Sequence, residues 1–253
     1  MKWRFINTGF RSGKFNMEYD EFLALRLAEK HGNPCVRVYG WNPPAISLGY
    51  NQNINDVDLK KCESEGIDVV RRPTGGRAIL HWNELTYSVI MYSDKMSIIQ
   101  VYEKISRALV EGLSLLGVNV QLEKSQPNFQ QIYKTTASIP CFSSSARYEI
   151  QYNGKKLVGS AQRRYTGNDG EVVLQHGSIL IGPEHKHLIN FLSEKNPDVL
   201  SEMKKKLDEH TTDLQEILNR NISYDEITEA IRAGFEKHWN INFEEIEKQK
   251  QEY

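Results

Sequence analysis

The run Arg71-Arg72-Pro73-Thr74-Gly75-Gly76-Arg77-Ala78-Ile79-Leu80-His81 constrains this chain more than any other stretch. It stands between Ile67-Asp68-Val69-Val70 and Thr86-Tyr87-Ser88-Val89-Ile90-Met91, which both carry strand signals, so a Gly-Gly turn joining two sheet strands is predicted. Glycines let backbone N–H groups approach a ligand where a Cβ would obstruct, and arginines add rigid planar donor forks beside them. Such a loop suits an acyl, phosphate or carboxylate group. An ordinary tight turn is the plainer alternative.

Around this loop, helix and strand signals alternate irregularly. Met17 to Lys30 has helical spacing with Phe22, Leu23, Leu27 and Ala28 toward a core, and Cys35-Val36-Arg37-Val38-Tyr39 then alternates as a strand. Ile98, Tyr102, Ile105, Leu109, Leu113 and Leu116 recur at spacings of three and four, which predicts an amphipathic helix packed on a sheet. Tyr148 to Tyr152, the turn Asn153-Gly154 and Lys155 to Ala161 form a hairpin pattern. Val172-Val173-Leu174 and Ser178-Ile179-Leu180-Ile181 read as further strand, interrupted by Gln175-His176-Gly177. From Pro183 onward Lys, Glu and Asp dominate at helical spacing and no strand signal remains. Ser223-Tyr224-Asp225-Glu226 has capping-box form and leads into Ile227, Ile231, Phe235 and Trp239 on one face. Glu244 to Tyr253 reads as a frayed, solvated helix end. The expected fold is α+β: a mixed, largely antiparallel sheet domain over residues 1–182, with a helical C-terminal cap over residues 183–253 packed on it.

At 253 residues the chain is long enough for a substantial core without disulfide or metal staples. Its 32 Lys and Arg nearly cancel 33 Asp and Glu, leaving a formal charge of -1, which argues against a nucleic-acid binder. Three cysteines, an odd number, fit a reducing compartment. The N-terminus lacks the apolar core of a signal peptide and no apolar run reaches membrane-spanning length. A cytoplasmic protein, without membrane association and monomeric, is expected.

The cysteines separate by context. Cys35 in an apolar strand and Cys62 in a helix from Val57 to Glu65 read as small buried hydrophobes. Cys141 follows Pro140 and precedes Phe142-Ser143-Ser144-Ser145-Ala146, where no regular element would bury it. A thiol on a loop near Lys and Arg has its thiolate favoured, as a nucleophile requires. A solvated lysine is the simpler reading, but Lys155 and Lys156 point to opposite faces of a strand, so one can be inside while the other is wet, and alternation does not say which. His81 and His176 adjoin loop residues and are candidate bases, though a lone histidine is more often a hydrogen-bonded packing residue. No metal-ligand spacing accompanies them, and no metal is expected.

Together these segments resemble the superfamily of lipoate–protein ligase A, octanoyltransferases and biotin ligases, and within it the cysteine-dependent octanoyl-acyl carrier protein:protein N-octanoyltransferases. The resemblance runs from Trp3-Arg4-Phe5-Ile6 and Asn16 to Glu21 through Pro44 to Gln52, Arg71 to Ala78, Glu84 to Ser88, Cys141-Phe142 and Tyr148 to Ile150. It ends with Lys156 to Gln162 and Gln175-His176-Gly177. The helical tail is its least specific part.

What the resemblance implies is a biotin/lipoate ligase-like fold with a tunnel for an eight-carbon acyl chain, and a two-step transfer. Cys141 would take octanoyl from the thioester of acyl carrier protein and pass it to a lysine of a lipoyl domain, such as glycine cleavage H protein or 2-oxoacid dehydrogenase E2. Lys156 would hydrogen-bond the acyl carbonyl as an oxyanion donor. Arg71, Arg72, Gly75, Gly76 and Arg77 would form the substrate site, with Gly75 and Gly76 lining the acyl pocket. His81, Gly159, Ser160, Ala161 and His176 belong to the same site. No cofactor is implied. The rival within the superfamily, an ATP-dependent lipoate–protein ligase using Mg, usually has three glycines and a later His-Asp, where this chain has Arg77 and His81-Trp82. A lipoyl-domain amidotransferase would also keep Cys141. A non-enzymatic module that only binds acyl carrier protein or lipoyl domains would have no use for Cys141 together with Lys156.

Overall fold

A computed structural model describes residues 2–122 and 149–244. Strand β1 (Trp3–Arg11) leads through the Ser12 cap into α1 (Gly13–Ala28), then β2 (Cys35–Trp41) and β3 (Ala45–Leu48). Helix α2 (Leu59–Ser64), β4 (Asp68–Arg71), β5 (Ile79–His81) and β6 (Glu84–Tyr92) follow, before α3 (Ile98–Leu115) and β7 (Gln121–Leu122). Then come β8 (Ile150–Tyr152), β9 (Lys155–Gly167) and β10 (Gly170–Leu180), a 3-10 stretch (Pro183–Phe191), α4 (Pro197–His210), α5 (Leu214–Leu218), α6 (Tyr224–Trp239) and β11 (Phe243–Glu244).

Among the described residues the main sheet has eight strands in the order β11-β1-β2-β6-β10-β9-β8-β7, parallel only among β11, β1 and β2. A smaller sheet, β4-β3-β5, pairs β3 parallel to β4 and antiparallel to β5. Alternation gives the main sheet two buried faces. Val36, Val38, Tyr87, Val89 and Val173 meet α3 and α6 on one, and Cys35, Ile90, Val172 and Leu174 meet α1 on the other. Helices α3 and α6 touch backbone to backbone, because a Cβ at Gly234 would stand 2.3 Å from the nitrogen of Gly112. The small sheet packs on the 3-10 stretch and α4 through Ile46, Leu80, Leu188, Phe191 and Met203.

Several expectations shift by identifiable causes. Helix α1 starts at Gly13, earlier than its apolar spacing suggests, because the Ser12 side chain accepts from the Phe15 N–H; Phe22 is exposed while Leu23, Leu27 and Ala28 are buried. Ile98 likewise sits exposed in the first turn of α3, whereas Ile105, Leu109 and Leu113 are buried. The loop after β4 leads to the short β5, so the predicted Gly-Gly connection crosses the end of β3 between two strands that are not neighbours. Gln175-His176-Gly177 does not interrupt β10, since all three residues pair with both β6 and β9. Strand does recur after Pro183: Phe243 and Glu244 pair with Trp3 and Arg4, so Glu244 belongs to a sheet edge and not to a helix end. Ser223 caps α6, but Glu226 reaches sideways to Arg220, not back to the cap backbone.

Candidate functional site

Between the small sheet, α1 and strands β6, β9 and β10 lies a cavity with about 390 Å³ of empty space, part of it open to solvent. Met17 comes from α1, Tyr39 and Trp41 from β2, and Ser47 from β3. Arg72, Ile79 and His81 come from the loop and β5, Thr86 from β6, and Gly159-Ser160-Ala161 with His176-Gly177-Ser178 from β9 and β10. The surface these residues offer to the interior is almost wholly apolar, although many of them carry polar groups.

The polar groups are turned into the wall and bonded there. His81 Nδ1 lies 2.8 Å from Glu84 Oε1 and its Nε2 lies 2.7 Å from Ser47 Oγ. Glu84 also accepts from Thr86 and from Ser178 at 2.8 Å, and Trp41 Nε1 donates to Thr86 at 2.7 Å while its ring stacks on His81 at 4.0 Å. Burial pushes the Glu84 carboxyl up, but His81 and the two hydroxyls more than offset it, so the group is held below the ordinary glutamate value. An ionised Glu84 can only accept, so His81 Nδ1 donates to it, while Nε2 is paired with the Ser47 hydroxyl.

A second histidine is fixed the same way. His176 Nε2 lies 2.7 Å from Thr74 Oγ1 and Nδ1 lies 3.2 Å from Asp20 Oδ2. Asp20 is fully buried and accepts from Arg37 at 2.6 Å, Tyr39 at 2.9 Å and Ser88 at 2.7 Å. Burial raises its carboxyl, yet Arg37, His176 and Ser88 bring it below the usual aspartate value. Burial lowers His176 despite Asp20, so the imidazole is neutral. Both histidines are therefore wall residues, and neither presents a ring nitrogen without a partner.

The arginines are spent on the loop itself. Arg72 donates to the carbonyls of Ser47, Gly75 and Arg77 at 2.7–3.0 Å, and Arg71 to those of Gly49, Tyr50 and Gln52 at 2.7–2.9 Å. Gly76 has φ +98°, a conformation open to glycine, and its carbonyl passes so close to Gly49 that a Cβ there would stand 1.9 Å away. Gly75 and Gly76 are exposed and stand outside the cavity wall, as do Arg71 and Arg77. Of the expected site residues, the fold thus gathers Arg72, His81, Gly159, Ser160, Ala161 and His176 around one space.

Lys156 is the inward lysine of its pair. It is 1% exposed with Nζ 2.7 Å from Glu149 Oε1, while Lys155 faces outward toward Glu216 at 3.6 Å. It lies three residues before Gly159 on β9 and is not part of the cavity wall. Cys141, the expected nucleophile, falls outside the described residues. Cys35 and Cys62 are each 1% exposed, with burial pushing their thiols up to about 12 and about 11, which fits the packing role read for them. Among the described residues no group of three His, Cys, Asp or Glu side chains is arranged to hold a metal ion.

Ser47, Thr74, Asp20, Glu84 and Glu149 were not singled out from sequence as chemical residues, although each lies in a segment that carries the family resemblance. On a strand or helix they pass for ordinary polar positions. Only tertiary pairing shows that they orient the histidines and Lys156.

Comparison with known proteins follows the same lines. Residues 12–236 match the family described as the lipoyl protein ligase A/B catalytic domain. An octanoyltransferase LipM of Anoxybacillus flavithermus is 36% identical over 251 residues, covering 97% of this chain and 89% of that protein. The octanoyltransferase LipM of Bacillus subtilis is 34% identical over 257 residues, covering 99% and 91%. Among solved structures, a bi-partite lipoate protein ligase of Thermoplasma acidophilum superposes with a TM-score of 0.78 at 22% identity, covering 97% of this chain and 87% of that one. A lipoate-protein ligase A bound with ATP gives 0.76 at 24%, covering 97% and 89%. The structural likenesses establish the fold.

Proposed function

We propose that this chain, which belongs to the lipoyl protein ligase A/B catalytic domain family, is an octanoyltransferase of lipoate synthesis. The observation that carries the reading is similarity to octanoyltransferases along nearly the whole of both chains. The cavity supports it. Its polar side chains are bonded within the wall, so a saturated hydrocarbon chain leaves nothing unsatisfied there, while a polar substituent would find its partners already taken.

The donor is octanoyl-acyl carrier protein and the acceptor a lysine of a lipoyl domain, such as glycine cleavage H protein or a 2-oxoacid dehydrogenase E2. The Cys141 thiolate attacks the octanoyl thioester carbonyl, the carrier sulfur leaves as its thiolate and takes up the proton that Cys141 had given up, and a new thioester remains on the enzyme. The acceptor amine then attacks that carbonyl, forms the amide and releases Cys141. Exchange of one thioester for another is nearly neutral and amide formation is downhill, so neither ATP nor a metal takes part. Lys156 acts toward the carbonyl oxygen as charge develops on it. Arg71 and Arg72 serve by holding the loop that closes the acyl site.

Intact-protein mass spectrometry after mixing the chain with octanoyl-acyl carrier protein, without ATP, tests the reading. One octanoyl mass on the peptide containing Cys141, absent in Cys141→Ser, is expected. Lipoyl-domain modification that requires ATP and free acid, with no adduct on the enzyme, would establish a ligase instead.

A further inference from the structure

We propose that Ser47, His81 and Glu84 form a second nucleophilic site, a hydroxyl, imidazole and carboxylate relay that takes acyl groups from carboxylic esters and hands them to water. This goes beyond octanoyl transfer and does not depend on it, since all three members stand among the described residues. Ser47 Oγ lies 2.7 Å from His81 Nε2, and His81 Nδ1 lies 2.8 Å from Glu84 Oε1. A serine joined to a base that is itself oriented by a carboxylate is the arrangement that activates the hydroxyl. It is recognised by geometry and roles, whatever the fold or the order along the chain.

The relay is built on rigid elements: Ser47 stands on β3, His81 on β5 and Glu84 at the start of β6, and they are 0%, 5% and 2% exposed. Trp41 stacks on the His81 ring, and Thr86 and Ser178 bond the Glu84 carboxylate, so each side chain has its angle fixed. Ser47 and His81 both line the cavity, which brings a molecule held there against the serine oxygen. Arg72 lines it too, and its Nη1 donates to Ser47 Oγ at 3.0 Å, placing positive charge beside the attacking atom. The set Thr74, His176 and Asp20 has the same order, with distances of 2.7 and 3.2 Å, and carries no such inference. Thr74 stands outside the cavity wall, and the Asp20 carboxylate is shared with Arg37, Tyr39 and Ser88.

The nearly apolar interior selects esters of short, unbranched acyl groups. The reacting form is the imidazole with its proton on Nδ1, toward Glu84. Ser47 Oγ adds to the ester carbonyl carbon while its proton passes to His81 Nε2, and Glu84 stays ionised beside the imidazolium. The bond from that carbon to the alcohol oxygen breaks, and the alcohol leaves with the proton from Nε2. Water then adds to the acyl-serine carbonyl and gives a proton to Nε2; the bond to Ser47 Oγ breaks, Ser47 recovers that proton, and the free acid departs. Water is the one co-reactant, and nothing is oxidised or reduced.

Labelling of the intact chain with a fluorophosphonate, which phosphonylates an activated serine with loss of fluoride, tests the site. Peptide mass spectrometry should find one phosphonyl group on the peptide containing Ser47, both in the parent and in Cys141→Ala, which lacks the thiol proposed for octanoyl transfer. Ser47→Ala should carry none. His81→Gln should label about 100-fold more slowly, and hydrolysis of p-nitrophenyl butyrate measured in the Cys141→Ala background should fall by a similar factor when His81→Gln is added. A parent chain with no label on Ser47 overturns the inference, whatever the variants do. So does a His81→Gln chain that is folded by circular dichroism and labels at the parent's rate, which is what a serine merely bonded into the wall would give.

Discussion

Replacing Gly49 with alanine isolates the contact that seats the Gly-Gly loop. The new Cβ would lie 1.9 Å from the Gly76 carbonyl oxygen and 2.8 Å from its carbon, so backbone must retreat by about 1 Å. Both sides of the contact are anchored by arginines: Arg71 holds the Gly49 carbonyl at 2.8 Å, and Arg72 holds those of Gly75 and Arg77 at 2.7–3.0 Å. A shift of that size lengthens at least one of these bonds beyond useful range. Hydrogen bonds to charged groups contribute about 1.5–3 kcal/mol each, and overpacking alone costs about 1–3 kcal/mol. A loss of about 3 kcal/mol follows, which for a chain of this size lowers Tm by about 6–12 °C. Gly75→Ala is the control, since nothing lies within 4 Å of its Cβ position and no left-handed φ applies there. It should stay within about 0.5 kcal/mol of the parent. Thermal and urea denaturation of the two variants side by side decide the matter. A Gly49→Ala protein as stable as Gly75→Ala would refute the claim that the loop rests on this contact.

Acidification should destabilise the fold through its buried histidines. Burial pushes His185 down to about 4, so its contribution is complete above the unfolded value near 6.5 and is lost as the pH falls toward 4. About 2 kcal/mol should disappear between pH 6.5 and pH 5, and urea titrations of His185→Gln should show a flatter slope over that window. Cys35 and Cys62 should resist iodoacetamide in the native protein at mildly alkaline pH, because burial disfavours both thiolates. Peptide mapping that finds either one alkylated before unfolding would contradict their placement in the core.

Much of the chain's plan was legible because local signals carry it. The spacing of Ile105, Leu109 and Leu113 gave α3 its buried face, and Asn153-Gly154 gave the β8–β9 hairpin, with both turn residues at positive φ. Phe22 and Ile98 misled because each falls on the apolar stripe yet stays exposed. Strand β11 left no local signal, since two residues pair only because β1 offers a free edge.

The sequence by itself determined the sheet-and-helix composition, the burial of Cys35 and Cys62, and the family, because these depend on residue types and their order along the chain. Only the tertiary structure decided which lysine turns inward, that Arg71 and Arg72 bind loop carbonyls, and that Glu84 and Asp20 orient His81 and His176. Some of those partners are far apart in the chain, although Glu84 stands only three positions from His81. His176 and Asp20 are separated by 156 positions and meet because β10 and α1 pack face to face. A buried polar group takes whatever partner the packing brings, and packing is a property of the whole fold.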